Sequence, residues 1–417
     1  MDRLLLLLPT TTYRTEDFVD AASKLGVDLI CASEIPSTFE ALASDNLLTL
    51  DFADPDGAAA AVARFAERRP LRAVVGVDDR TTVTAAAIAA RLGLRANSIA
   101  SASAARNKRL TRERLAAAGV RQPAFRLVPL DGDPTVTART VDYPCVVKPL
   151  SLSASRGVIR ADDAAQFVEA VARIRAILAG PDVTVDEGGR QALLVEQFVP
   201  GVEVALEGLL IESDLRVLAL FDKPDPLDGP YFEETIYITP SRLPDDAQKA
   251  IAETTAAACA ALGLSDGPVH AELRVNSGGP WIIEVAARSI GGLCSRTLRF
   301  GTGMTLEELI LRHALGWPLQ STDRDGRAAG VMMIPIPRAG RLRGVRGLEA
   351  AKAVRDVEDV VISAHPDQEL VPLPEGWQYL GFIFARAERP DEVESALRSA
   401  HARLDFDIDD SPRKRSA

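Results

Sequence analysis

The first 100 residues alternate short apolar segments with alanine-rich helical segments, and this alternation restricts the fold more than any other feature. The apolar segments at 4–8, 28–31, 47–50 and 73–77 are predicted as strands. Strands that alternate with helices are typical of an open parallel sheet with helices on both faces. Ligands of such sheets bind beyond the carboxyl ends of the strands, here near PTTTYR and GVDD. Asp78 and Asp79 follow the fourth predicted strand, either as caps of the next helix or as ligands.

The charge and the apolar segments exclude several classes of partner. The 417 residues carry a net charge of −11, which argues against a nucleic-acid-binding surface. The leucine run at 4–8 is shorter than the about 7–15 apolar residues of a signal peptide or the about 20 of a membrane helix, so no membrane partner is expected. The four cysteines form no CxxC pair, and we therefore expect reduced thiols and a cytoplasmic location.

The chain is predicted to be a multidomain protein of α/β and α+β units. Residues 1–105 form the N-terminal open parallel α/β domain. Residues 106–325 form a central unit of two α+β subdomains, of which the smaller covers about 120–195. Residues 326–417 alternate short strands, turns and one helix, which indicates a small C-terminal α+β domain. No GxGxxG follows the first strand and no GxxxxGK[ST] occurs, so dinucleotide and P-loop sites are not supported.

The segment VHAELRVNSGGPWIIEVAARS at 269–289 is predicted as two strands joined by a five-residue turn. If Val275 pairs with Trp281, Glu272 faces Glu284 with Cβ atoms about 4.5–5.5 Å apart. Two carboxylates so placed repel each other unless one is protonated or a cation lies between them. Mg²⁺ is commonly held by one or two carboxylates together with phosphates. A register shifted by one residue would instead expose one glutamate, and the pattern leaves both alternatives open.

Two lysines and a small-residue loop suggest a phosphate site. Lys148 ends the apolar segment YPCVVKPL, where it is either a phosphate-binding charge or an edge lysine that reaches water. The next residues, SLSASRGV at 151–158, would let backbone N–H groups approach phosphate oxygens, although an ordinary serine-rich turn fits equally well. Lys108 and Arg112 share one helix face, which alone is an ordinary basic stripe.

The order of these features resembles an ATP-grasp enzyme. Lys108, Lys148, the small-residue loop, LLVEQFVPGVEV and the two-glutamate hairpin ending in EVAAR follow one another along the chain. The nearest resemblance is to the carboxylate–amine ligases, which include the L-amino-acid (dipeptide) ligases. It covers nearly the whole chain, and it implies a Rossmann-like N-terminal domain, a central ATP-grasp fold and the cofactors ATP and Mg²⁺ or Mn²⁺.

The resemblance also implies roles for individual residues. Arg288, Lys148 and Ser155 would act in catalysis, with Arg288 on a phosphate or the reacting carboxylate. The loop would cover the β- and γ-phosphates, residues 196–199 would meet the adenine, and Glu203 would hold the ribose. The residues placed around ATP are Lys108, Lys148, Ser153, Ser155, Arg156, Gly157, Glu196, Gln197, Phe198, Val199 and Glu203. Glu272 and Glu284 would bind the metal.

Departures from the family pattern add further candidates. Ala286 stands where many relatives have a metal-binding asparagine, so Glu234 is predicted as a third ligand. Tyr237 replaces a histidine and is a candidate substrate residue. His270, predicted opposite Ala286, either contacts substrate or is a core histidine. Lys223 begins a long polar loop at 223–240, which is either a substrate-contacting loop or a surface excursion.

The implied reaction activates a carboxylate as an acyl phosphate, releases ADP and transfers the acyl group to an amine. The implied partners are a small-molecule carboxylate and amine, and a homodimer is an expected assembly. The smaller subdomain and its loop would close over the intermediate as a lid. Alternatives are carboxyphosphate chemistry on bicarbonate, as in purine-pathway ligases and carboxylases, and a nucleotide-binding protein without turnover.

Overall fold

A computed structural model describes residues 2–37, 45–183, 191–319 and 321–409. The N-terminal unit has the predicted parallel sheet, with strands in the order β3-β2-β1-β4. Its elements are β1 (Arg3–Leu7), α1 (Thr15–Leu25), β2 (Asp28–Ser33), β3 (Leu47–Thr49), α2 (Pro55–Ala66), β4 (Ala73–Gly76) and α3 (Asp79–Leu92).

The leucine run forms the centre of this unit. Leu4 and Leu6 pack into one hydrophobic cluster, whereas Leu5 and Leu7 pack into another on the opposite face. A strand covered on both faces reads as a continuous apolar run because both sets of alternating side chains are buried. The predicted strand of a parallel sheet that is covered on both faces is therefore confirmed. No helix in the described ranges combines the length and the apolar character that crossing a membrane requires.

A small antiparallel sheet follows, which we call the lid subdomain. Helices α4 (Ile99–Arg106) and α5 (Lys108–Ala117) lead into it. Its strands lie in the order β5-β8-β6-β7, and α7 packs against β6 and β7. Its elements are β5 (Phe125–Pro129), α6 (Pro134–Ala138), β6 (Cys145–Pro149), β7 (Ile159–Ala161), α7 (Ala164–Leu178) and β8 (Ala192–Gln197).

The rest of the chain builds a large sheet and a three-stranded one. The remaining strands are β9 (Val202–Ile211), β10 (Asp214–Lys223), β11 (Ile236–Thr239), β12 (Gly267–Asn276), β13 (Gly279–Ala286), β14 (Ala328–Ile334), β15 (Gly340–Arg346), β16 (Val357–Ile362), β17 (Glu369–Leu370), β18 (Gly381–Ala387) and β19 (Asp405–Asp409). The helices are α8 (Asp245–Leu262), α9 (Leu306–Ala314), α10 (Leu348–Lys352) and α11 (Pro390–His401), with a 3₁₀ turn at Cys294–Thr297.

The large sheet has eight strands in the order β13-β12-β9-β10-β11-β14-β18-β16, and β17-β15-β19 form the smaller sheet. Strand β11 pairs antiparallel with β14, so the large sheet runs unbroken across the predicted boundary at 326. The segment 223–240, predicted as a loop, contains β11. Strand β11 is the fifth of the eight strands, so this part of the segment lies inside the sheet, and Ile236–Thr239 are all buried.

The two-glutamate hairpin forms with a different turn from the predicted one. Val275 pairs with Pro280 rather than Trp281, because Asn276 and Gly279 close a turn of only two intervening residues. A bulge after Glu272 inserts one extra residue, Ile283, and shifts the register back. Glu272 therefore faces Glu284, as predicted, and both side chains lie on the same face of the sheet.

Candidate active site

The lid subdomain, the large sheet and the N-terminal domain meet at a cleft of about 440 Å³. Most of the predicted site residues line it, although they come from five separate parts of the chain. Those on the wall of the cleft are Lys108, Lys148, Ser153, Ser155, Arg156, Glu196, Gln197, Phe198, Val199, Glu203, Glu234, Tyr237, His270, Glu272, Glu284 and Arg288. Two predicted site residues, Gly157 and Lys223, do not line the cleft.

Lys148 belongs to a buried ion cluster at the base of the lid. Its Nζ lies 2.6 Å from Glu196, whose other oxygen lies 2.5 Å from Nε of Arg112. Burial opposes ionisation of Glu196, but the two cations prevail and lower its pKa to about 2. Burial lowers the pKa of Lys148, with Glu196 opposing. The Glu196 carboxylate is thus engaged by one cation on each oxygen, and its contact with adenine stays a prediction. Sequence reasoning missed the role of Arg112, which it treated as part of a basic stripe.

The loop at 151–158, which we call the phosphate loop, lies over Lys108. Nζ of Lys108 donates to the carbonyl of Leu152 at 2.7 Å and lies 3.5 Å from Glu284. Ala154 and Ser155 both have a φ of 54°, a left-handed conformation that is costly for non-glycine residues and clusters at ligand sites. The buried Ser151 Oγ, on the cleft wall, has no hydrogen-bond partner among the residues that the structure describes. Such an unpaired donor fits a phosphate oxygen.

Three glutamates surround the ammonium group of Lys223. Oxygens of Glu203, Glu234 and Glu272 all lie within 4.8 Å of one another, and Nζ of Lys223 lies 2.9, 2.5 and 3.5 Å from them. Burial disfavours the charged lysine, yet attraction by the three carboxylates raises its pKa well above the ordinary value. The buried Lys223 thus balances charge in the cluster, and its contact with substrate stays a prediction.

The carboxylate cluster has the donors that a divalent ion requires. Glu203, Glu234 and Glu272 bring three carboxylates together, and hard divalent cations prefer carboxylate oxygens. Glu203 lies in this cluster and also accepts from Nε of Arg274 at 3.0 Å, so its carboxylate is already held by two cations. Glu284 lies outside this group of three, 3.5 Å from Lys108. The ribose role of Glu203 and the metal role of Glu284 stay predictions.

Tyr237 and His270 contact two carboxylates of the cluster. The hydroxyl of Tyr237 donates to Glu234 at 2.6 Å, and burial foremost raises the pKa of this phenol well above the ordinary value. His270 pairs with Ala286, as predicted, and contacts Glu207 at 3.2 Å and Glu272 at 3.6 Å. Burial lowers the pKa of His270, but its hydrogen bonds to the two glutamates outweigh this and raise it to about 9. The imidazole is thus buried, as a core histidine would be, and also forms part of the cleft wall.

Arg288 is held by the N-terminal domain. Its Nε and Nη2 lie 3.1 and 3.0 Å from one oxygen of Asp79. Asp78 is at the N-cap position of α3, whereas Asp79, the first residue of that helix, directs its carboxylate to the cleft. Asp79 thus contacts a predicted site residue, and its role as a ligand stays a prediction. The sequence feature that pointed to Asp79 was its position just after a strand of the parallel sheet, where ligands of such sheets bind.

An apolar part of the cleft wall, which we call the apolar end, is formed by residues that the sequence did not indicate. Met333, Trp377 and Tyr379 come from the C-terminal part of the chain, and Tyr13 comes from the loop after β1. The ring centroids of Tyr379 and Phe382 lie 6.0 Å apart, and those of Tyr13 and Phe382 lie 5.3 Å apart. No local pattern marks them, because their common location arises only when distant segments pack together.

Three family models match successive parts of the chain. They are the ATP-grasp N-terminal domain at 19–94, the ATP-grasp domain at 141–297 and the L-amino acid ligase C-terminal domain 2 at 332–409. An uncharacterised protein of Sinorhizobium fredii is 23% identical over 98% of this chain and 84% of its own length. The alanine–anticapsin ligase of Bacillus subtilis is 26% identical over 53% of this chain, and the match spans only 49% of that ligase.

A solved structure matches the whole architecture. The L-amino acid ligase from Bacillus licheniformis superposes with a TM-score of 0.80 and 26% identity, covering 98% of this chain and 99% of that one. The chain therefore contains an ATP-grasp N-terminal domain, an ATP-grasp domain and an L-amino acid ligase C-terminal domain, and it has the fold of an L-amino acid ligase.

Proposed function

We propose that this protein is an ADP-forming ligase that joins two amino acids or amino-acid-like molecules at the expense of ATP. The observation that carries the proposal is the composition of one cleft. Cations suited to phosphates, Lys108, Lys148 and Arg288, stand on its walls together with the carboxylates Glu234 and Glu272. Beside the matched domains and fold, this arrangement supplies what phosphoryl transfer needs, namely positioned charges rather than a protein nucleophile.

The reaction has two steps. In the first, an oxygen of the substrate carboxylate attacks the γ-phosphorus of ATP; the bond to the bridging oxygen breaks, and ADP leaves. Lys148 and the phosphate loop with Ser155 would hold the transferred phosphoryl group, and Arg288 would hold the carboxylate. In the second, the amine attacks the acyl carbon, phosphate departs with the carbon–oxygen electron pair, and the amine proton passes to solvent or phosphate. The products are an amide, ADP and phosphate.

Glu272 and Glu234 are the residues that we assign to Mg²⁺ or Mn²⁺, with Glu284 opposite Glu272 as the further candidate. Such an ion neutralises charge on the phosphates and aligns them for in-line transfer. Tyr237 and Lys223 orient Glu234 through their contacts at 2.6 and 2.5 Å. The side chains present thus fit the ion.

We assign both substrates to the part of the cleft between Arg288 and the apolar end formed by Met333, Trp377 and Tyr379. An α-amino acid offers a carboxylate to a guanidinium and a side chain to an apolar wall. All four cysteines are free thiols, which supports a cytoplasmic site for the reaction. A homodimer stays a prediction.

A coupled assay for ADP release tests the proposal. Purified protein with ATP and Mg²⁺ is screened against pairs of amino acids, with bicarbonate as a separate arm, and products are identified by mass spectrometry. We expect ADP release to depend on added amino acids and a dipeptide mass to appear in equal amount. The control variant is Glu253→Gln, which removes an exposed carboxylate on α8 far from the cleft wall. Release that depends on bicarbonate, or none in the presence of bound ATP, would contradict the proposal.

A further inference from the structure

One segment of the C-terminal domain touches both the phosphate loop and the cleft. Residues 371–379, which we call the strap, connect β17 to β18. The strap contains a tight turn, in which the N–H of Gly376 donates to the carbonyl of Pro372 at 2.9 Å. A Cβ at Gly376 would overlap the carbonyl oxygen of Val371. The turn therefore requires glycine and sets the direction of the residues on both sides.

The first half of the strap holds the lid subdomain. The carbonyl of Pro374 accepts from the N–H of Gly157, the glycine of the phosphate loop, at 2.9 Å. Glu375 receives two hydrogen bonds from Arg173 of α7, at 2.8 and 2.9 Å. A bidentate pair fixes orientation as well as distance. The position of the phosphate loop is thus defined by the strap as well as by the lid's own sheet.

The second half of the strap forms the cleft wall. Trp377 stands two residues after Glu375 and lines the cleft, and Tyr379 follows it. A substrate in the apolar end would therefore contact the strap, the same nine-residue segment that contacts the phosphate loop. The same short segment therefore contacts the phosphate loop and contributes to the cleft wall.

The two attachments of the lid differ in burial. At its base, Arg112 and Glu196 are 2% and 3% exposed, whereas at the strap Arg173 and Glu375 are 33% and 41% exposed. A buried pair is costly to separate, and an exposed pair separates readily in water. The base is thus suited to act as a fixed hinge, and the strap contact is suited to break and reform during each turnover.

We propose that Glu375 and Arg173 are positioning residues that latch the phosphate loop over ATP, and that the strap makes this latch respond to the amino-acid substrate. This inference rests on the proposed function. When the apolar end is filled, the strap is held in place and the loop stays closed, which keeps water from the acyl phosphate. When it is empty, the strap is free to move, so the latch opens more often and ATP is released more readily.

Two measurements on Glu375→Gln and Arg173→Gln test the latch. First, the affinity for a non-hydrolysable ATP analogue with Mg²⁺ is measured by calorimetry. It should fall about two- to fivefold, the range expected for an exposed ion pair. Second, the ratio of ADP to amide formed should rise above the wild-type value, because an unlatched loop admits water. The exchanged pair Arg173→Glu with Glu375→Arg should restore both values.

The matched control is Arg346→Gln, which breaks an exposed pair with Asp405 in the same domain. It should leave both measurements unchanged. Analogue affinity and product ratio equal to the control in both latch variants would overturn the inference. The binding measurement does not need turnover, so wild-type protein that binds the analogue but forms no amide refutes the proposed function, while the latch is still judged by affinity.

Discussion

Replacing Glu196 by glutamine probes the buried ion cluster at the base of the lid. The carboxylate lies between Arg112 at 2.5 Å and Lys148 at 2.6 Å, and its side chain is 3% exposed. Glutamine keeps the shape of glutamate and one acceptor oxygen. Its NH₂ group, however, places an N–H donor opposite the N–H donor of Arg112 or Lys148. Removing one partner of a buried pair leaves a cation uncompensated in a medium of low dielectric constant.

Two routes give a similar magnitude for this loss. Breaking a buried ion pair costs about 3–5 kcal/mol. The pKa of Glu196 falls from 4.5 to about 2 on folding, which corresponds to about 3 kcal/mol. We therefore expect Glu196→Gln to lower the free energy of unfolding by about 3 kcal/mol at pH 7.

The sign of the pH dependence follows from the direction of the shift. The folded-state pKa is depressed, so the stabilisation is fully present above pH 4.5 and is lost as the pH falls toward about 2. The difference between wild type and variant should shrink over this window, because a protonated Glu196 resembles glutamine.

The assay is urea unfolding followed by circular dichroism at a series of pH values. Glu169→Gln serves as the control, because it removes an exposed glutamate from α7 of the same subdomain. The control should change the free energy of unfolding by less than about 0.5 kcal/mol. A loss below about 1 kcal/mol in Glu196→Gln, or a loss that stays constant down to pH 3, would refute the reasoning, since it would mean that the pair contributes no more than a surface one.

Three further variants test the site. Glu272→Gln removes a carboxylate of the cluster and should reduce Mg²⁺-dependent ADP release by about a hundredfold or more, with the far-UV spectrum unchanged; full activity would remove Glu272 from the metal site. Asp79→Asn frees the guanidinium of Arg288 and should lower kcat/KM for the carboxylate substrate about tenfold, whereas a purely structural role would lower only thermal stability. Lys108→Ala should raise KM for ATP about tenfold, the loss of one charged contact, and an unchanged KM in the coupled assay would show that Lys108 does not contact the phosphates.

The parallel sheet and the glutamate hairpin could be predicted because both depend on local order. A strand with both faces covered requires apolar residues at every position, and the leucines of β1 satisfy this without reference to the rest of the chain. The facing of Glu272 and Glu284 was predicted although the turn was wrong. Turn length is decided by one or two residues, here Asn276 and Gly279, and the bulge at Ile283 is a tertiary accommodation that alternation does not encode.

The partners of the charged residues were not predictable in this way. Arg288 meets Asp79 and Arg173 meets Glu375 only after separate units pack against one another. Lys223 begins a polar segment, which predicted a loop residue. Its burial among three glutamates follows because β10 and β12 both pair with β9. Long-range electrostatics depends on distances that the order of residues does not contain.

The sequence by itself determined the succession of strands and helices, the two facing carboxylates and the order of motifs that places the chain among the ATP-grasp ligases. These follow from periodicity and spacing, which act between near neighbours. The tertiary structure decided which charges neutralise each other, where the apolar end of the cleft lies and how the strap reaches the phosphate loop. Those features depend on the packing of units far apart in the chain, because burial and proximity, rather than residue type, set the strength of each interaction.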